Sequence, residues 1–147
     1  MTTTVAPSIA NPVSDFEKIP AELGLSETWE QKNGSRWLSP GMIDVRRMVE
    51  LMLSHDARFV TITAMELPDD GGIRMDYHWD LDGELLTITT KASEKAAVSI
   101  HDLCPAADWI EREVHEYFAV DFAGREYAPL LLRAGETPGV NLHKEDE

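Results

Sequence analysis

Apolar residues recur along this chain at helical spacing, then at every second position, then at helical spacing again. In IDVRRMVELMLSHD, from Ile43, the residues Val45, Met48, Val49, Met52 and Leu53 alternate with Arg46, Arg47 and Glu50, which predicts a helix with one buried face. The stretch RFVTITAMEL (58–67) is rich in β-branched residues. IRMDYHWDL (73–81) sets Ile73, Met75, Tyr77 and Trp79 against Arg74, Asp76, His78 and Asp80 with a period of two, and ELLTITTK (84–91) follows. LPDDGG (67–72) and Asp82-Gly83 are turn signals between these runs, the second a strong two-residue hairpin turn. Together they predict a three-stranded antiparallel meander.

The segment KASEKAAVSIHDLC (91–104) reads as a connector with one helical turn at most. Pro105 then opens a second clear helix in PAADWIEREVHEYFA, since proline is tolerated in a first turn. Beyond it, VDFAGREYAPLLLRAGETPG is punctuated by Gly and Pro and reads as irregular, with LHKEDE as a charged, frayed end. Ahead of the first helix, residues 19–40 scatter Ile19, Leu23, Leu25, Trp29, Trp37 and Leu38 among Gly, Asn and Ser, which suits a short helix and an extended segment. The expected fold is α+β: an antiparallel β-sheet of about three or four strands with flanking helices. It divides into a Thr-, Ser- and Pro-rich flexible arm (1–18), the α+β domain (19–124) and an irregular C-terminal extension (125–147).

A chain of 147 residues suits one domain and is long enough to bury a core without disulfides or metal. Its net charge of −14 repels phosphate backbones and anionic headgroups, so nucleic acid is not an expected partner. One cysteine, Cys104, excludes an internal disulfide and cannot by itself hold an iron–sulfur cluster; it reads as a small apolar residue. The N-terminus lacks the pattern of a secretory signal, and no apolar run approaches the ~20 residues of a membrane span. Membrane association is therefore expected through a partner.

Candidate chemistry concentrates in ADWIEREVHEYFAVDFAG (107–124). On a helix, Trp109, Ile110, Glu113, Val114, Tyr117 and Phe118 share a face that is apolar except for Glu113, whereas Glu111, Arg112, His115 and Glu116 lie largely off it. Arg112 and Glu116, four apart, suit an ordinary helix ion pair. A metal reading uses Glu111 and His115, also four apart, with His101 as a distant ligand, but lacks the third or fourth nearby ligand that metal sites need. His101 beside Asp102 offers a His–Asp pair without a signalled nucleophile, and surface or capping histidines are the simpler reading. No Walker loop, GxGxxG, HExxH or GxSxG is present. Glu113 is the informative residue, because a carboxylate on an apolar face is costly to bury unpaired. It reaches water at the core's edge, or pairs with Arg125, Arg133 or an arginine of a partner. The flanking aromatics suit a protein–protein interface.

The succession Glu111-Arg112-Glu113, two residues, Glu116, then Tyr117-Phe118, six residues, the base Arg125, three residues, Pro129 and Leu130-Leu131 resembles the signature of the 30-kDa-subunit family. That family comprises the 30-kDa-type subunit of bacterial complex I (NADH:quinone oxidoreductase) and its relatives in energy-converting nickel–iron hydrogenases and formate hydrogenlyase. The run Pro105-Ala106-Ala107-Asp108-Trp109 is also similar, and the likeness covers about residues 40–147. There are two departures. Arg125 stands where His or Lys is usual, and Asn141-Leu142-His143-Lys144-Glu145-Asp146 matches the family's Pro-Leu-Arg-Lys-Asp run partially before the chain stops.

The resemblance implies an α+β subunit without its own cofactor, with a nickel–iron centre and iron–sulfur clusters in partner subunits. It implies docking on a hydrogenase-type or quinone-site large subunit and an iron–sulfur small subunit, with the membrane arm reached indirectly. The implied location is the cytoplasmic face of the membrane. Trp109, Glu111, Arg112, Glu113, Glu116, Tyr117, Phe118, Arg125 and Pro129 become interface or structural residues, the charged ones fixing the helix and its loop, the aromatics anchoring packing. The short C-terminus favours the hydrogenase-type relative over complex I proper. A stand-alone acidic binding module and a small metal-dependent enzyme are the competing classes, and co-purification and metal content separate them.

Overall fold

The computed structural model describes residues 15–69 and 72–140. Asp15–Lys18 make a 3-10 turn that runs into a short helix, α1 (Ile19–Glu22). Phe16 is buried and meets Trp29 edge-on, and Trp29 Nε1–H donates to the Phe16 carbonyl at 2.6 Å. Most of the arm expected over 1–18 lies outside the described residues. Its last four residues form the 3-10 turn, and Phe16 packs into the apolar core. Next comes a hairpin of β1 (Glu30–Lys32) and β2 (Ser35–Leu38). Its turn is Asn33-Gly34, both residues at positive φ (52° and 77°), the backbone that such a tight turn demands and that Asn-Gly supplies.

Helix α2 (Val45–Ser54) starts where Asp44 accepts a hydrogen bond from the Arg47 N–H at 3.1 Å. Val45, Met48, Val49 and Met52 form its buried stripe. It stops at Asp56, which turns left-handed (φ 58°) so that the Asp56 and Ala57 N–H groups reach the Leu53 and Met52 carbonyls. Asp44→Ala is expected to cost about 0.5–2 kcal/mol, and Asp44→Asn much less, when urea denaturation of the two is compared.

The meander is β3 (Arg58–Glu66), β4 (Ile73–Leu81) and β5 (Glu84–Ala92), antiparallel throughout, with a bulge between Phe59 and Thr61. The full sheet has five strands in the order β1-β2-β5-β4-β3, and β2 runs parallel to β5. The expectation of three or four antiparallel strands is thus exceeded by the β1–β2 hairpin, which adds on the β5 side. On one face Met75, Tyr77 and Trp79 are buried, and Trp79 packs edge-to-face on Phe59 with ring centroids 5.4 Å apart. Burial raises the Tyr77 hydroxyl's pKa. The other face is polar but paired: Arg74 and Thr89 bond Asp76, and His78 bridges Thr63 and Thr87 at 2.8 Å each. Burial lowers the His78 pKa, against the raising effect of Asp76.

The connector expected over 91–104 contains a 3-10 turn (Ser93–Lys95) and a short strand, β6 (Ala96–Val98). After a 3-10 turn at Pro105–Ala107 comes helix α3 (Asp108–Phe118), then β7 (Asp121–Ala123) inside the segment expected to be irregular. β7 pairs in parallel with β6, with Ala97 beside Phe122. Arg46 of α2 clamps the segment between β6 and α3: it forks onto Asp102 with two 2.8 Å bonds and donates to the Ser99 carbonyl at 3.1 Å. The hydrogen bond from Arg46 holds the Asp102 carboxyl down to about 2.

Candidate functional site

Helix α3 turns Glu111 and Val114 toward the interior, in line with Ala107 of the preceding turn, a stripe at i, i+4 and i+7. This corrects the expected face. Glu111, placed off the buried side by the pattern, is 0% exposed, whereas Trp109, placed on it, is 69% exposed. The physical reason is pairing. Glu111 Oε1 accepts the Ile100 N–H at 2.7 Å, and Oε2 accepts the Ser99 hydroxyl at 2.7 Å and Arg125 Nη1 at 3.0 Å. Arg125, its side chain 4% exposed, also bonds the carboxylate and carbonyl of Asp108 and lies over the Tyr127 ring. One buried cation thus meets two carboxylates, with protein donors filling the remaining acceptor positions of Glu111. Because Arg125 faces Asp108 and Glu111, it does not pair with Glu113.

The rest of the polar side of α3 grips the segment after Arg125. His115 Nδ1–H donates to the Val120 carbonyl at 2.8 Å, and its ring stacks flat on Tyr127 at 3.6 Å. Tyr127 OH in turn accepts the Phe122 N–H at 2.5 Å, tying the stack to β7. Arg112 reaches the Ala128 carbonyl from Nε (3.1 Å) and the Pro129 carbonyl from Nη2 (3.0 Å). The Glu116 carboxylate accepts three successive backbone N–H groups, from Leu130 (2.8 Å), Leu131 (2.7 Å) and Leu132 (3.3 Å). The Glu116 carbonyl accepts the Gly139 N–H at 2.8 Å. A Cβ on Gly139, which also has a positive φ (78°), would come within 3.0 Å of the Ala119 Cβ.

The ion pair expected between Arg112 and Glu116 is therefore replaced. Each spends its hydrogen bonds on the extension, and Arg112 meets Asp108 at 3.6 Å instead. The metal pairing of Glu111 with His115 does not form either, because the two face different partners. Among the described residues no three His, Cys, Asp or Glu side chains converge to hold a metal. His101 bonds Ser99 Oγ rather than Asp102.

Burial would raise the Glu116 pKa, but the three backbone donors and Arg112 outweigh it, so the pKa falls below its ordinary 4.5. A depressed carboxylate stabilises fully above the unfolded-state value and loses that contribution as pH falls through the lower folded-state value. The Leu130–Leu132 amide NMR shifts are therefore expected to titrate with a midpoint below the ordinary carboxylate value, a transition that Glu116→Gln abolishes.

Of the nine residues singled out from sequence, Glu111, Arg112, Glu116, Arg125 and Pro129 converge on this clamp, Pro129 through its carbonyl. Trp109, Glu113, Tyr117 and Phe118 lie elsewhere on α3. Glu113, Tyr117 and Phe118 line a groove beside β3, with the Tyr117 and Phe118 rings 6.1 Å apart. Sequence reasoning missed Asp108, Ser99, Tyr127 and the clamping role of His115. Asp108, one turn before Glu111 and Arg112, carried a usable signal; Ser99 carried none.

The family model described as "Respiratory-chain NADH dehydrogenase, 30 Kd subunit" matches residues 43–146. Among curated protein sequences nothing matches. One similar solved chain belongs to the membrane-bound sulfane sulfur reductase, an archaeal respiratory membrane complex: TM-score 0.67, 23% identity, covering 76% of this chain and 70% of that one. Another is Nqo5, as its trypsin-resistant fragment 1–134: TM-score 0.56, 17% identity, covering 78% of this chain and 96% of that one. At these identities the two structures show a shared fold. The family match spans all of α2, the meander, α3 and its clamp, and the chain belongs to the family of the respiratory-chain NADH dehydrogenase 30 Kd subunit.

Proposed function

We propose that this chain is a cofactor-free assembly subunit in the peripheral arm of a complex I-related membrane redox complex of the energy-converting nickel–iron hydrogenase type. It docks on the catalytic large subunit and the iron–sulfur small subunit, which carry the nickel–iron centre and the clusters, and sits through them at the cytoplasmic face of the membrane. The observation that carries this reading is the use made of α3's charged groups. Glu111, Arg112 and Glu116 are engaged in holding the chain's own segment 125–132 in one shape. That is the work of a scaffold presenting a surface rather than of a site arranged around a substrate. The exposed Trp109 beside it is the type of residue that anchors interfaces. Among the described residues no helix is long and apolar enough to cross a membrane, which fits peripheral attachment.

The 30-kDa-type subunit of NADH:quinone oxidoreductase (complex I) is the second reading, favoured by the description of the matching family itself. A tagged chain purified from its native membranes in mild detergent, with mass spectrometry of what co-elutes, decides between them. The proposal expects a nickel–iron-type large subunit, an iron–sulfur subunit and antiporter-like membrane subunits. Flavoprotein NADH-oxidising subunits in the same peak would give the second reading. Recovery of the chain alone would reject both, in favour of an independent acidic binding module.

A further inference from the structure

On the side of α3 away from the clamp, a groove of about 330 Å³ separates the helix from β3. One wall is residues 61–64; the other includes Ile110, Glu113 and Tyr117. Side chains alternate across a strand, so four consecutive residues bordering one groove fit a groove that runs along the strand's edge. β3 is the terminal strand of the sheet, paired with β4 on its other side, so that edge offers backbone N–H and C=O groups outward.

The helical wall is apolar except for Glu113, which is half-buried and has no hydrogen bond or ion pair among the described residues. The nearby cations are committed: Arg112 to the Ala128 and Pro129 carbonyls, Arg125 to Asp108 and Glu111. Trp109, one turn before Glu113 on the same side of α3, stands exposed.

We propose that this groove receives an extended segment of a partner subunit, which adds as a strand to the edge of β3 and places a Lys or Arg on Glu113. The proposal rests on the subunit reading above and specifies its docking surface. An extended segment, rather than a helix, fits because one wall is strand edge, which only another strand satisfies with backbone hydrogen bonds. A basic residue fits because covering the groove desolvates Glu113, which costs heavily without an opposite charge. A second copy of this chain, net charge −14, is the poorer match. Apolar residues flanking the cation meet Ile110.

The test compares the tagged full-length chain with its Glu113→Lys variant in native membranes. Charge reversal is expected to lower recovery of the large subunit at least about tenfold, while the isolated variant keeps the parent's melting temperature. If the variant melts earlier, Glu113→Gln takes its place, with a drop of about threefold or more expected. A photo-crosslinking benzoylphenylalanine at Tyr117 is expected to capture a peptide of a co-purifying subunit that contains Lys or Arg between apolar residues. Full recovery with Glu113→Lys, or crosslinks to a second copy or to this chain's own termini, overturns the groove proposal and leaves the subunit reading standing. Failure of the unaltered chain to bring down any redox subunit overturns both.

Discussion

Glu111→Ala is expected to lower the free energy of unfolding by about 3–5 kcal/mol. The carboxylate is fully buried, and its removal leaves Arg125, itself 4% exposed, facing a void on one side. The Ser99 hydroxyl and Ile100 N–H lose their acceptor in the same step. Asp108 remains as a partner for Arg125, so the cation is not wholly stranded, and the lower half of the range is the natural expectation. Glu111→Gln keeps the volume and an acceptor oxygen and is expected to cost less than Glu111→Ala. Converting both partners, Glu111→Leu with Arg125→Met, removes the stranded charge and is expected to recover part of the loss, a non-additivity that a double-mutant cycle in urea reads directly. A loss below about 1 kcal/mol for Glu111→Ala would place this pair among ordinary surface ion pairs and contradict the clamp.

Trp79→Ala is expected to cost about 3–5 kcal/mol, a large part of the ~5–15 kcal/mol that stabilises a typical domain. Trp79 lies 0% exposed on β4, the central strand of the meander, between Phe59 on β3 and Leu86 on β5. Truncation empties the middle of the core and removes the edge-to-face contact with Phe59. Among the described residues the indole N–H has no hydrogen-bond partner, so Trp79→Phe removes an unsatisfied donor along with volume. It is therefore expected to cost about 1–2 kcal/mol, well short of the alanine variant. Equal losses in thermal or urea unfolding would mean that cavity size does not set the cost here.

The elements legible in the sequence are those whose burial follows a local rhythm. Ile73, Met75, Tyr77 and Trp79 alternate and form β4, and Asp82-Gly83 makes the turn to β5. The methionine stripe of α2 behaves likewise. The β1–β2 hairpin was missed although Asn33-Gly34 signals it, because all of Glu30–Lys32 is exposed and shows no alternation. β6 and β7 are three residues each and pair across a helix, beyond the reach of any local pattern. The face of α3 was misread for a related reason. Pattern analysis counts Glu111 as polar and sends it outward. What draws it inward is Arg125, far along the chain, together with two donors from the segment after β6. The membership of Glu111, Arg112 and Glu116 in one cluster was visible; that they grip this chain's own extension was not, because three of the groups they hold are backbone amides, which every residue but proline has.

Hydrogen exchange at the Leu130, Leu131 and Leu132 amides, measured on the full chain and on Glu116→Gln at neutral pH, tests most directly whether α3 organises the extension. The glutamine offers one oxygen and turns a donor toward other donors. The clamp predicts slow exchange at all three amides in the parent, with exchange about tenfold faster or more in the variant, and unchanged protection in β4. Equal exchange rates at Leu130–Leu132 in the two proteins would contradict the clamp, since the extension would then hold its shape without the Glu116 carboxylate.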